Sequence, residues 1–238
     1  MIAVQYVFVR LGTQNGRISD LMYISLLCNV VITVPPALVW FDVSMSLEAV
    51  AFFAAAGLAG SLFGRICIFT SVNLIGANRT SPVVSGNALF ATILAVVVLG
   101  ETLTALHFVG VVMIVVGIVI VSYETAENTS KDYSRRRFAV LMAIPLLAAL
   151  FISFEPIFIS LGLENGGSVV PGIAIMVTAA WIGYTLYLVF DDDLPSRSLV
   201  REPYAKWYVG AGVATTIGFV AYFAAIELAP VAVVVPLI

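Results

Sequence analysis

The sequence SPVVSGNALFATILAVVVLGE, from Ser81 to Glu101, contains 20 consecutive uncharged residues before its terminal glutamate. At ~1.5 Å per residue, a helix of that length crosses a hydrocarbon layer ~30 Å thick. Pro82 stands in the predicted first turn, where a missing N–H costs nothing, and Gly100-Glu101 ends the helix. The stretch therefore predicts a membrane-spanning helix, and the apolar run from Leu103 to Val121 predicts another directly after it.

The composition excludes a soluble domain. Hydrophobic residues make up 61% of the 238 positions and charged residues 11%, and the mean hydropathy is +1.09. A soluble domain has about a quarter charged residues, so we expect the lipid bilayer as the surroundings. The net charge of −3 gives no reason to expect nucleic acid as a partner. The single His and the two cysteines, both in apolar runs, argue against a metal site, so we expect no metal, no cofactor and no enzyme activity.

The other apolar runs predict an all-α polytopic membrane protein. The predicted segments are a half-helix over 1–11, spans over 21–41, 49–75, 81–100, 103–123, 138–161, 169–190 and 207–226, and the start of a ninth span at 230. Glu155-Pro156 is expected to break the sixth span, because proline removes a helical hydrogen bond. The polar segment 124–137 is the only stretch with linker-like composition, and it separates a first half, 1–123, from a second half, 138–238.

The two halves carry an internal duplication. FVRLGTQNG at 8–16 matches FISLGLENG at 158–166 with an offset of 150, and Phe41-Asp42 matches Phe190-Asp191 with an offset of 149. Four further residues match at an offset of 154: Gly64, Phe69, Leu74 and Pro82 with Gly218, Phe223, Leu228 and Pro236. Three matches in order predict two five-helix repeats, so the chain is expected to be a ten-helix protein truncated at both ends. An odd number of spans in each repeat orients the halves oppositely, as in alternating-access carriers.

The region from Gly76 to Ser122 resembles the end of an EamA domain. The matching features are Leu99-Gly100-Glu101 at the helix end, the following Thr102-Leu103-Thr104, and Gly110 and Gly117 seven residues apart. EamA domains belong to the drug/metabolite transporter superfamily, whose members carry two such domains in ten helices. The resemblance implies a carrier for small metabolites, often amino acids or related compounds, driven by exchange or an ion gradient. Where the family has a proline in the fourth helix this chain has Asn87, so we expect no kink there.

Two ionisable residues inside predicted spans are the main site candidates. Arg65 either binds an anionic group of the substrate or a gating carboxylate, or it extends to the membrane boundary. Glu155 is either a proton site or a carboxylate that hydrogen-bonds between helices. A stripe of small residues next to Arg65 allows a neighbouring helix to approach closely: Gly57, Gly60, Ser61 and Gly64. No sequence argument brings Arg65 and Glu155 together.

The remaining candidates are polar or aromatic residues in uncharged spans. In the fourth span Asn87, Ser85 and Thr92 either contact the substrate or hydrogen-bond between helices. In the seventh span Thr178, Trp181 and Thr185 share one helical face, and they either line an aromatic pocket or simply pack. A structural role is predicted for three further residues, Gly100, Glu101 and Pro82, with Glu101 anchoring the turn between the fourth and fifth helices.

The predicted function is a secondary transporter that moves a small polar or amphipathic, amino-acid-like metabolite by alternating access. Its site is expected near the bilayer midplane between the repeats, and coupling to a proton or another ion is left open. The alternative is a non-transporting membrane scaffold or sensor, or an inactive truncated carrier. The expected location is the plasma membrane, and the oligomeric state is not predicted.

The orientation in the membrane is also left open by two opposing arguments. Ten of the eleven Lys and Arg residues fall in connections on one predicted face, which positive-inside reasoning places in the cytoplasm. The complete chain would then begin outside, whereas the resemblance implies a cytoplasmic start.

Overall fold

The fold is taken from a computed structural model of the chain. The structure describes residues 16–41, 44–102, 135–191 and 204–237, together with residues 8, 11–12, 109–110, 112–113, 116–117, 120, 194–195, 199 and 202 between those ranges. At residues 73, 77–79, 135–140 and 237 it describes the backbone alone. All regular secondary structure in these ranges is helical.

The long helices correspond to the predicted spans. Their bounds are α1 Ile18–Trp40, α2 Leu47–Ala56, a π-helical segment Gly57–Gly64, α3 Arg65–Ile75, α4 Ala77–Val84, α5 Asn87–Val98, α6 Arg135–Glu164, α7 Val169–Phe190, α8 Ala205–Leu228 and α9 Val231–Val234, followed by a 3-10 turn Val235–Leu237. Within the described ranges, six helical stretches are long and apolar enough to cross a membrane: α1, α2 continued into α3, α4 continued into α5, α6, α7 and α8. The prediction of an all-α polytopic membrane fold is therefore confirmed. The half-helix over 1–11, the fifth span and the linker lie almost wholly outside the described residues.

The fourth span differs from its prediction in where it begins and in being interrupted. Helix α4 begins at Ala77, so Pro82 lies inside it and not in its first turn. The helix stops at the turn Ser85-Gly86, where the Gly86 N–H donates to the Val83 carbonyl at 3.1 Å, and α5 restarts at Asn87. Proline lacks an N–H and displaces the carbonyl one turn earlier, and glycine is a poor helix former. Both turn residues, Ser85 and Gly86, keep right-handed helical dihedral angles, so the expectation that the fourth helix is not kinked at Asn87 stays a prediction.

The sixth span, in contrast, is not broken where a break was predicted. Helix α6 runs without interruption through Pro145 and Pro156 to Glu164. Each proline removes one backbone hydrogen bond, but neighbouring helices allow membrane helices to continue past such a gap. The helix ends instead at Glu164, and the chain then turns at Gly166, whose φ of +85° is in the left-handed region. The Gly167 N–H then donates to the Gly162 carbonyl at 3.0 Å and closes the helix end.

The chain forms two compact units. The first consists of Met1–Leu58 and Ile159–Leu228, and the second of Ala59–Phe158 and Ala229–Ile238. Each unit combines residues from both predicted repeats. The repeats are defined by sequence similarity and not by compactness, so their boundaries at 1–123 and 138–238 stay a prediction.

The core of the first unit is organised around Phe53. This side chain is 0% exposed and its ring centroid lies 6.0 Å from that of Phe223. Three glycines face the Phe53 ring so closely that a Cβ added at Gly162, Gly167 or Gly172 would come within 2.5–2.7 Å of it. Helices in a membrane gain stability from such close packing, because lipid tails already surround apolar side chains.

Helices α1 and α7 of the first unit pack antiparallel. The Tyr184 hydroxyl donates to the Ser19 carbonyl at 3.3 Å, and the Tyr23 ring lies 6.2 Å from the Trp181 ring, so residue numbers rise in one helix as they fall in the other. The two helices occupy equivalent places in the predicted repeats, since their starts are 151 residues apart and their ends 150. Antiparallel packing of equivalent helices is the arrangement that inverted repeats require.

A second pair of contacts in the first unit also joins the two halves. A Cβ added at Gly212 in α8 would lie 2.7 Å from Cys28 Cβ in α1, and a Cβ added at Gly57 would overlap the backbone of Met176 in α7. Gly57 and Gly212 are 155 residues apart, and Cys28 and Met176 are 148 apart. Each half therefore contains a glycine that lets two helices approach closely, at similar but not identical places in the two halves.

The packing of Phe53 gives a test of the first unit. We expect Phe53→Ala to lower the free energy of unfolding by about 3 kcal/mol, because three glycine backbones cannot close the cavity that is left. The measurement is the temperature at which the purified protein in detergent stops eluting as a single species on size exclusion. Phe190→Ala is the control, since Phe190 is 88% exposed. Equal losses in both variants would contradict the role assigned to Phe53.

Candidate functional site

Glu155 is a carboxylate buried in the membrane-spanning part of the second unit. It lies on α6, within the apolar stretch Leu141–Glu164, fourteen residues from its start and nine from its end. Only 9% of the residue is exposed. An ionised carboxylate at that depth is costly unless a cation or several hydrogen bonds compensate its charge, so its neighbours decide what it can do.

The π-helical segment packs directly on Glu155. A Cβ added at Gly60 would overlap the Glu155 carboxylate, and one added at Gly64 would lie 2.7 Å from Ile152 Cγ1, one turn earlier on α6. The predicted stripe of small residues therefore does allow close approach of another helix. π-Helical turns are rare, weakly bonded and found preferentially at functional sites.

Ser61 and Arg65 complete the surroundings of the carboxylate. Ser61 is 1% exposed, and its hydroxyl donates to Glu155 Oε2 at 3.4 Å. Arg65, the first residue of α3, interacts electrostatically with Glu155. The tertiary structure thus brings together the two ionisable candidates that the sequence analysis could not connect. Arg65 is half-buried, so its guanidinium is the more accessible member of the pair.

The fourth-span candidates are placed differently from one another. The buried Ser153 hydroxyl of α6 lies 2.9 Å from the backbone carbonyl of Asn87 and 2.6 Å from that of Ala149, so it joins α6 to the start of α5. Ser85 is exposed, and its hydroxyl donates to the Ser81 carbonyl at 3.0 Å. The buried Thr92 hydroxyl donates within its own helix, to the Ala88 carbonyl at 2.7 Å.

The seventh-span candidates belong to the first unit. The Thr178 and Thr185 hydroxyls donate to carbonyls of their own helix, at Ala174 and Trp181, over 2.6 and 2.7 Å. The Trp181 ring packs on Tyr23, and its buried indole N–H has no hydrogen-bond partner among the residues that the structure describes. Of the three, Trp181 is therefore the one with a donor available to a ligand.

The sequence analysis missed a buried polar cluster around Asn29 in the first unit. Asn29 is 0% exposed, and in the orientation that satisfies its neighbours its amide nitrogen donates to the carbonyls of Gly212 (2.7 Å) and Ser25 (3.1 Å) and lies 2.9 Å from Thr216 Oγ1. A lone Asn in the uncharged run from 21 to 41 was the available signal. Its contacts fasten α1 to α8, as polar groups commonly do between membrane helices.

Glu101 makes a structural contact that the sequence analysis did not predict. Its two carboxylate oxygens accept hydrogen bonds from the Val231 and Ala232 N–H groups at 2.7 and 2.9 Å. The carboxylate therefore caps the start of α9, whose first N–H groups have no partner within the helix. Gly100, with a φ of +68°, provides the turn that directs the chain there. This contact joins residues 130 positions apart. The predicted anchoring of the turn between the fourth and fifth helices stays a prediction, because residues 103–108 lie outside the described residues.

Comparison with known protein families gives one match. The model of the EamA-like transporter family matches residues 1–123, which is more than half of the chain. The chain belongs to the EamA-like transporter family. It is accordingly an integral membrane protein of a family of transporters within the drug/metabolite transporter superfamily, and members of this family are not enzymes. No curated protein matches the chain. The matched residues include Ser61 and Arg65 but not Glu155.

Contact between Gly60 and Glu155 gives a test of the site's packing. We expect Gly60→Ala to lower the free energy of unfolding by about 1–3 kcal/mol, because the added methyl group displaces the carboxylate or separates the helices. Gly218→Ala is the matched control, since a Cβ at that helical glycine meets nothing within 4 Å. Thermal unfolding in detergent measures both. A Gly60→Ala variant as stable as the control would show that the two helices are not in contact there.

Proposed function

We propose that this EamA-family protein is a secondary transporter that moves a small polar or amphipathic metabolite across the plasma membrane by alternating access. The observation that carries the proposal is the Arg65–Glu155 pair, an ionisable pair inside spanning helices of a transporter-family chain. Ionisable residues at that depth commonly mark the path of a substrate or ion. A small metabolite with a carboxylate, such as an amino-acid-like solute, suits the guanidinium of Arg65.

A purely structural role explains the pair less well. A buried ion pair adds little stability compared with apolar residues of the same volume, because removing two charges from water is costly. Gly60 and Ser61, which contact the carboxylate, belong to a π-helical segment, which is less stable than an α-helix of the same sequence. These polar residues and the π-helical segment therefore lower the stability of the fold. A role in substrate binding or ion coupling would explain why they are present.

The inverted arrangement supports alternating access. In carriers built from inverted repeats, one repeat moves against the other and opens the site to each side in turn. The antiparallel packing of α1 on α7 and the close glycine contact in each half are what such repeats produce. Helix starts at Ala77 and Val231, 154 residues apart, reproduce the offset found in the sequence.

The alternative is a non-transporting membrane component. The absence of the family's proline at Asn87 does not favour it. The fourth span is interrupted at the turn Ser85-Gly86 although that proline is absent. Asn87 in place of the proline therefore does not make the span a continuous helix.

Transport by an Arg65 variant tests the proposal. We expect Arg65→Ala to lower uptake at least about 10- to 100-fold, because a hydrogen bond to a charged group contributes about 1.5–3 kcal/mol. The measurement is accumulation of labelled amino acids and organic acids by cells that express the full chain, normalised to the amount of protein in the membrane. Lys206→Ala is the control, because this cation lies over the Trp207 ring at the start of α8. Uptake by Arg65→Ala equal to that of the control would remove Arg65 from the site.

A further inference from the structure

Arg65 and Glu155, which interact electrostatically, are unequally accessible. Glu155 is enclosed, with Oε2 facing the Ser61 hydroxyl at 3.4 Å and the Gly60 backbone packed on its carboxylate. Arg65 is only half-buried. The π-helical segment therefore covers the carboxylate, whereas Arg65 is the less enclosed of the two residues.

We propose that the transported solute is an organic monoanion whose carboxylate takes the place of Glu155 at the Arg65 guanidinium, and that Glu155 carries a proton while the solute is bound. This inference rests on the proposed transport function and adds the substrate class and the coupling ion. The Arg65 guanidinium has five N–H donors in a planar fork that matches a carboxylate, which makes it suited to such an exchange of partners.

The charge balance of the site explains the proton. In the empty state Arg65 is positive and Glu155 negative, so the pair is neutral. If an anion bound while Glu155 stayed ionised, the site would hold a net negative charge in a medium of low dielectric, which is costly. Protonation of Glu155 restores neutrality. One proton is taken from water for each carboxylate bound and is released with it, so the solute and proton together move no net charge.

The neighbours of Glu155 are compatible with both of its protonation states. In the described part of the unit, the charged group that interacts electrostatically with Glu155 is Arg65, at the start of α3. From the π-helical segment Ser61 faces it, and a hydroxyl can donate to a carboxylate or accept from a carboxylic acid. Helix α5 meets α6 at the Ser153 hydroxyl and the Asn87 carbonyl, which do not titrate.

A zwitterionic solute fits this geometry less well. Its carboxylate could reach Arg65, but its ammonium group would have to pair with Glu155. Gly60 and Ser61 already occupy the space beside that carboxylate. An anion requires access only to Arg65, the half-buried member of the pair, and this favours monoanions over amino acids and cations.

The experiment uses the full chain reconstituted into liposomes and two charge series on fixed carbon skeletons. The labelled probes are lactate, alanine and lactamide, and 3-phenylpropionate, phenylalanine and 3-phenylpropanamide. We expect the anion of each series to be taken up, and the zwitterion and the amide to compete at least about 10-fold more weakly. An external pH one unit below the internal pH should raise the initial rate of anion uptake above that of protein-free liposomes, which these acids enter only undissociated, since one proton accompanies each anion. A potassium diffusion potential set with valinomycin should leave accumulation unchanged.

Two variants test whether Glu155 is the residue that couples proton movement to transport. In Glu155→Gln the neutral amide imitates the protonated acid, so exchange of internal for external anion should persist while accumulation driven by the pH difference is lost. Glu164→Gln is the matched control on the same helix, because Glu164 is exposed, and it should behave as the unchanged protein. Size exclusion establishes that each variant is folded, and the response of the unchanged protein to pH and potential tests the coupling without any variant.

The possible outcomes distinguish the inference about substrate class and proton coupling from the proposed transport function. Preferred uptake of alanine, phenylalanine or an amide, or anion uptake that follows the potential and not the pH difference, would overturn the inference and leave the transporter in place. Retention of pH-driven accumulation by folded Glu155→Gln would do the same. Failure of all six probes to enter would contradict the proposed transport function itself.

Discussion

Hydrocarbon cannot solvate a charge. That constraint explains why Arg65 and Glu155 lie near each other, and it accounts for several other features of the second unit. The pair requires close approach of α6 to the π-helical segment. Such approach in turn requires glycine at position 60, because any Cβ there would overlap the carboxylate. Ser61 supplies the hydroxyl that a buried carboxylate needs as a further partner. The small residues, the helical distortion and the ion pair are therefore parts of one arrangement.

The first unit depends on a different consequence of the same surroundings. Because lipid is as apolar as a leucine side chain, helices gain little by excluding it and associate through close packing and hydrogen bonds. Phe53 pressed against three glycines is an example of the first, and Asn29 held by two backbone carbonyls is an example of the second. Gly57 and Gly212 make close contacts of the first kind, one in each half of the chain.

Much of the fold followed from local properties of the chain. Length and hydropathy predicted spans whose ends, such as Trp40 and Phe190, agree with the structure within a residue, because a charged residue follows closely in each case. The duplication predicted the oppositely oriented halves that α1 and α7 display. Proline effects were predicted poorly. Pro156 leaves α6 intact while Pro82 precedes an interruption, since the outcome depends on neighbouring helices and on a following glycine such as Gly86.

By itself, the sequence determined that the chain is helical, lies in a membrane, is duplicated and resembles a transporter family, because hydropathy, length and repetition are readable along one dimension. Only the tertiary structure decided which polar residues meet. Arg65 and Glu155 are 90 residues apart, Glu101 caps an element 130 residues away, and Asn29 reaches α8 from α1. A buried polar group must find a partner, but its identity depends on helix rotation and depth, which a single sequence does not encode locally.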